Sequence, residues 1–261
     1  MSYISDFKSS PISLFGVNGG NTTTDASLET LLGAKFVSAD GREFTLVQNG
    51  ASALVSGVLV QSPASIGANH TGLTCATAAI GATQITVTLG ATAVTANQYA
   101  GGYAVVSAGT GIGQTLRIQS HPAADASATV VLTLEDPLSV ATAVADSKVS
   151  LTLPQYGGSN GTVVSTHGVV ISPTTATGRT IGATVYPIGA STDTVPTYGF
   201  IQTAGAVAVL NDSATAIGLD VMPSSSVAGA VVTYVAATRN RVGTSTVAGE
   251  NTKAQLITLQ L

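Results

Sequence analysis

Charge is what this sequence has least of. Only 8% of its residues are Asp, Glu, Lys or Arg, against about 25% in an ordinary soluble domain. Tryptophan is absent, and the other aromatics amount to seven Tyr and five Phe, so a core has to be built from Val, Leu, Ile and Ala. A single cysteine, Cys75, excludes an internal disulfide framework and reads as a small residue in a strand or turn. No apolar run approaches the length of a membrane-spanning helix. The first residues, Met1-Ser2-Tyr3-Ile4-Ser5-Asp6, show neither the basic nor the apolar region of a secretory signal. The expectation is a protein made in a cytosol that is used there or leaves by a route such as lysis. Basic residues are too few and too scattered, from Lys8 to Lys253, for a phosphate-binding face, and the formal charge is −4. Nucleic acid is therefore not an expected partner, and neither is a membrane.

What replaces the missing charge is Thr, Ser, Gly, Gln and Asn, beside an ordinary 44% of hydrophobic residues. Disorder goes with high charge and few β-branched residues, the reverse of this composition. Val, Ile and Thr are stiff at χ1 and fit a pleated surface, whereas the 29 glycines disfavour helices. The fold class expected is all-β, a sandwich- or barrel-type body of short antiparallel strands. At 261 residues the chain is long enough for one large β domain or two small ones.

Residues 1–36 differ from the rest and read as an extended N-terminal arm. Turn formers run through Ser9-Ser10-Pro11 and Gly16 to Thr24, and a short helical turn is expected over Asp25 to Leu32. The arm carries apolar points, Ile4, Phe7, Ile12, Leu14 and Phe15, that a merely solvating tail would not need. These are the candidate partner-binding residues. Beyond the arm, strands are expected at Glu43–Gln48, Ala53–Gln61, Gln84–Leu89, Tyr103–Val106, Thr115–Ile118, Thr129–Leu134 and Ser147–Leu153. Asn49-Gly50 reads as the turn between the first two. The glycine loop Gly109–Gly113 is expected to close a hairpin. A break at Tyr156–Gly161 suggests two β domains, 37–156 and 157–261. Strands are expected in the second at Gly168–Ile171, Thr180–Tyr186, Tyr198–Thr203, Val207–Leu210, Val231–Val235 and Ala254–Leu261.

Two patterns imitate catalytic motifs. Gly157-Gly158-Ser159-Asn160-Gly161 has the form of a nucleophile elbow, with His167 nearby. An elbow needs a helix after the serine and a distant histidine, and the segment that follows is instead the strand former Thr162-Val163-Val164. Gly109-Thr110-Gly111-Ile112-Gly113 resembles a phosphate-cradling loop but leads into Thr115-Leu116-Arg117-Ile118, another strand, with no lysine. His70, His121 and His167 are far apart in sequence and lack metal-ligand spacing. Glu135-Asp136, the only adjacent acidic pair, lacks the ligand-spaced loop of a dedicated calcium site. No constellation of acid, base and nucleophile emerges, so no enzymatic activity, catalytic residue, metal or cofactor is expected.

Several segments carry a resemblance. Asn97-Gln98-Tyr99-Ala100-Gly101-Gly102-Tyr103, Gly109 through Ile118, Leu132-Thr133-Leu134-Glu135-Asp136-Pro137-Leu138, and Tyr198-Gly199-Phe200-Ile201-Gln202-Thr203-Ala204-Gly205 through Ala208-Val209-Leu210 resemble virion structural proteins of tailed bacteriophages. Asp40-Gly41-Arg42-Glu43-Phe44 is similar in style. In patches these cover residues 38–236, and within the group the nearest resemblance is to capsid decoration, or cement, proteins. The resemblance implies a β-rich protein that binds the outer surface of the expanded head, bridges major capsid protein subunits and is commonly a homotrimer. It also implies residence on the capsid exterior after synthesis in the bacterial host cytoplasm. Residues 1–36 lie outside it. Alternative readings are another virion component (a head fibre, tail or baseplate protein), a bacterial surface adhesin or S-layer fragment, and a hydrolase using Ser159.

Overall fold

The computed structural model describes residues 24, 26–158, 167–236 and 239–261. Among them the chain forms sixteen strands in two hydrogen-bonded systems, a closed six-stranded barrel and a ten-stranded curled sheet. The barrel comprises β4 (Leu73–Cys75), β5 (Gln84–Thr88), β6 (Tyr103–Ala108), β7 (Thr115–Ser120), β8 (Thr129–Leu134) and β9 (Lys148–Thr152). They follow one another around the wall as β4-β5-β8-β7-β6-β9, and every neighbouring pair is antiparallel. Successive side chains of a strand point to opposite faces, and these sequences alternate to match. Ile85 and Val87, Leu116 and Ile118, and Val130, Leu132 and Leu134 point inward and are buried, while Thr86, Thr115 and Thr129 do not join that core. A six-stranded barrel is narrow enough for such side chains to fill it. Leu138 plugs one end and Tyr99 the other, both essentially without solvent contact.

The sheet comprises β1 (Lys35–Val37), β2 (Glu43–Gln48), β3 (Leu59–Gln61), β10 (Val170–Ile171), β11 (Thr180–Thr184), β12 (Tyr198–Leu210), β13 (Asp220–Pro223), β14 (Val231–Thr233), β15 (Gly243–Ser245) and β16 (Ala254–Gln260). Its spine is β12, whose first half pairs with β2 and second half with β16. The change of partner occurs at a bulge between Gln202 and Ala204. There the Gln202 amide Nε2 donates to the carbonyls of Ala204 (3.0 Å) and Ala206 (2.9 Å). Gly205 takes φ +89°, a left-handed conformation that a side chain would strain. The sheet curls until the segment before β14 meets the opposite edge: Leu59 N–H donates to Gly229 O, and Gly229 N–H to Ser172 O, both at 2.8 Å. Leu59, Val207, Val209, Val221, Ile257 and Leu259 fill the curl. A second cluster around Val47, Val60, Ile181 and Ile201 lies beside it.

The all-β expectation holds, and the short helical turn is present as a 3-10 segment, Ala26–Leu31. The Gly109–Gly113 hairpin is present too, with β6 and β7 paired directly. Hydrogen bonding does not divide the chain at 156/157, however. The barrel is inserted between β3 and β10, which pair with each other, and β1–β3 belong to the same sheet as β10–β16. Those pairings join segments more than a hundred positions apart, which no local pattern reveals. Asn49-Gly50 is likewise not a hairpin turn, because β2 and β3 do not pair. Asn49 is buried, and its amide donates to Ser52 O (2.9 Å) and Gly189 O (2.7 Å). Its amide thus holds both the local turn at Ser52 and the distant carbonyl of Gly189. The strand expected over Ala53–Gln61 contracts to Leu59–Gln61, and the two strands expected at Tyr198–Thr203 and Val207–Leu210 are one continuous strand.

Candidate functional site

Because neighbouring barrel strands alternate in direction, the loops 76–83, 109–114 and 135–147 gather at one end. The chain enters and leaves the barrel at the other, through residues 72 and 153. The free end is a hydrogen-bonded platform centred on Gln114. Its Oε1 accepts from Ser139 N–H (3.0 Å), Ser139 Oγ–H (3.1 Å) and Val140 N–H (3.0 Å). Its Nε2 donates to Val140 O (2.9 Å) and Gly111 O (3.1 Å). Asp146 Oδ2 accepts from both N–H and Oγ–H of Thr110 at 3.1 Å, and Ser147 Oγ donates to Thr110 O at 2.6 Å. Thr142 Oγ1 donates to Ala76 O (2.9 Å) and accepts from Ala78 N–H (3.1 Å), fastening the first loop to the third.

On this platform stand four apolar side chains that the core does not use: Ile80 is 69% exposed, Ile112 66%, Val144 59% and Val140 47%. The three loops that carry these side chains are fastened to one another, so all four stand at the same end of the barrel. The three loops contain Glu135, Asp136 and Asp146 but no Lys or Arg. Glu135 faces Arg117 at 3.3 Å.

The attached end holds a cluster that sequence spacing did not suggest. His70 Nε2 donates to Thr92 O at 2.9 Å, and its Nδ1 meets the Tyr99 hydroxyl in a short hydrogen bond. The His121 ring accepts at Nε2 from Tyr99 N–H (2.9 Å) and donates from Nδ1 to Pro122 O (2.9 Å). With an N–H aimed at one nitrogen and a carbonyl at the other, only the neutral Nδ1–H form of His121 satisfies both. Burial pushes the Tyr99 phenol well above its usual range, so it remains an O–H donor. His121 and His167 are both held below the usual histidine range, first by burial. Proximity to another imidazole adds to this, that of His70 for His121 and that of His121 for His167. His167 Nδ1 is buried without a hydrogen-bond partner among the described residues. No group of three or more His, Cys, Asp or Glu side chains among them is arranged to hold a metal ion. The cluster fixes Tyr99 as a plug at this end of the barrel.

The other residues singled out in the sequence are scattered. Ile4, Phe7, Ile12, Leu14 and Phe15, like Ser159, lie outside the described residues. Cys75 is buried in β4, near Thr142, and burial raises its thiol pKa, as suits a packing residue. The free-end platform could have been glimpsed as three loops without Lys or Arg, carrying Ile80, Ile112, Val140 and Val144 between them. Their convergence depends on strand direction and was not legible. Comparison of the chain with protein-family models, with curated proteins and with solved structures finds no match.

Proposed function

We propose that this protein is a capsid decoration protein of a tailed bacteriophage, a non-catalytic part of the virion. It binds the outer surface of the head and bridges major capsid protein subunits. The observation that carries this reading is the fastened barrel end with its four exposed apolar side chains, set on an all-β body of low charge. Such a body has backbone pairing along its length, and its apolar end is opposite the end through which the chain enters and leaves the barrel. The N-terminal arm supplies a second point of attachment through Ile4, Phe7, Ile12, Leu14 and Phe15. Several weak contacts on one particle multiply into firm attachment because each tethers the next. A homotrimer multiplies them again.

The test is a measurement of solution mass followed by titration onto bare expanded capsids with a count of bound copies. A trimer that saturates at a fixed ratio to the shell protein is the expected result. No attachment refutes the proposal. A few copies confined to one vertex would assign the chain to a fibre, tail or baseplate instead.

A further inference from the structure

Three of the nine basic residues in the chain line a single cleft at the rim of the curled sheet, and no carboxylate side chain lines it with them. Arg179 comes from the loop between β10 and β11. Arg239 and Arg241 come from the segment between β14 and β15. Gln61, Thr180, Asn240 and Gln260 add polar groups to the wall. The volume enclosed is about 380 Å³, room for a short stretch of peptide and its side chains.

The three guanidinium groups are not equivalent. Arg241 is anchored: its Nη1 donates to both carboxylate oxygens of Asp220 at 3.1 Å, and its Nη2 to Gln260 Oε1 at 3.0 Å. Arg239 donates to the main-chain carbonyls of Pro173 (3.0 Å) and Thr174, acceptors that position it without cancelling its charge. Arg179 has an exposed side chain on a clamped backbone. Its N–H donates to Ser62 Oγ at 3.1 Å, and its carbonyl accepts from Ser62 N–H at 2.8 Å. The ion pairs among the described residues include neither Arg179 nor Arg239. Among the side chains that line the cleft and their ion-pair partners, three guanidinium groups stand against the single carboxylate of Asp220, on a chain whose formal charge is −4.

We propose that this cleft binds carboxylate groups of an acidic peptide segment, with Arg179 and Arg239 as the residues that engage it and Arg241 as a fixed wall. Arginine forks match carboxylates in geometry, and two uncancelled forks in one recess select a segment with neighbouring acidic side chains. Nucleic acid fits less well, since a phosphate backbone requires cations along several successive charges and this surface supplies them at one point. The segment belongs to the shell protein, an assignment that rests on the function proposed above. The affinity of the cleft for carboxylates does not depend on it.

Two measurements separate the questions. In the first, fluorescence anisotropy follows a labelled octapeptide of alternating Glu and Ser binding to the intact protein. Affinity should fall as salt is raised from about 20 mM to about 200 mM. Arg179→Gln and Arg239→Gln should each weaken binding about tenfold, the loss expected for one charged hydrogen-bonding partner. Arg117→Gln, in a different cleft, should leave it unchanged. Arg179 is exposed, so its variant should unfold at the wild-type midpoint and report on binding alone. Equal peptide affinity in wild type and Arg179→Gln would overturn the site, as would tighter binding of a single-stranded oligonucleotide of equal charge. In the second, Arg179→Gln is titrated onto expanded capsids. Reduced occupancy supports the shell protein as source of the segment. Unchanged occupancy refutes that source without touching the decoration role.

Discussion

Acid should loosen this protein through two buried histidines. The perturbation is a fall from pH 7.5 to 5.5. In the folded chain His121 receives Tyr99 N–H at Nε2 and gives its Nδ1 proton to Pro122 O. A second proton on Nε2 would face the amide proton it now accepts. The folded-state pKa values of His121 and His167 are lowered from the ordinary 6.5, chiefly by burial. The unfolded chain therefore takes up protons first as pH falls, and stability declines with it. The stabilisation is complete above about pH 6.5, is lost progressively below it, and stops falling once the folded histidines themselves titrate. Each histidine contributes at most about 1.4 kcal/mol per pH unit, so the pair sets a ceiling of about 2.7 kcal/mol per unit. Against a typical domain stability of about 5–15 kcal/mol that is a large fraction. The carboxylates of Asp40 and Asp220 are held below their usual 3.8 by hydrogen bonds to Arg42 and Arg241, so they titrate outside the window. The assay is urea unfolding at pH 7.5, 6.5 and 5.5, followed by tyrosine emission because the chain has no tryptophan. His121→Gln should be less stable at pH 7.5 yet lose stability less steeply on acidification. A wild-type stability that stays flat from pH 7.5 to 5.5, or an equal slope in the variant, would refute the reasoning.

Four further outcomes are expected. Leu132→Ala, in the middle of the barrel core, should cost about 2–5 kcal/mol in urea unfolding, the range for a large buried aliphatic side chain cut back to a methyl. Gly109→Ala should cost about 2 kcal/mol or more by the same assay. The residue has φ +75°, and a Cβ there would stand 2.2 Å from Asp146 O. The double variant Ile80→Asp, Ile112→Asp should keep its unfolding midpoint, both side chains being exposed, while occupancy on expanded capsids drops. Deleting residues 1–20 should weaken capsid attachment and leave the far-UV circular dichroism of the body unchanged; unaltered occupancy would sink the proposed role of Ile4, Phe7, Ile12, Leu14 and Phe15.

Strands with strict alternation were legible almost to the residue. Thr129–Leu134 and Gln84–Thr88 show apolar side chains at every second position, and the barrel uses that period directly. The short strands Leu73–Cys75, Asp220–Pro223 and Gly243–Ser245 went unnoticed, since three or four residues carry too little periodicity to stand out. Gln202 and Gly205 sit inside a strand whose break in pattern suggested two elements; the glutamine amide bridges that break and keeps the strand whole. The candidate sites were less legible. Ile80, Ile112 and Val140 converge only because of barrel winding, and His70, Tyr99 and His121 only because the loops carrying them meet beneath it. Arg239 and Arg241 stand two positions apart in the chain. Their meeting with Arg179 depends on the curl of the sheet.

The insertion of the barrel between β3 and β10 has a kinetic side. Gln61 pairs with Val170, and closing a flexible loop of roughly 110 residues costs about 4 kcal/mol in chain entropy. Within the barrel, β4 pairs with β9, so a folded barrel brings its own two ends together. What then remains to be closed is a pair of short connectors. The cheapest route to the native state thus completes the inserted module first, during synthesis or soon after, and only then lets the outer strands find each other. A lesion such as Leu132→Ala would be felt twice, once in the barrel and again as slower assembly of a sheet it does not touch.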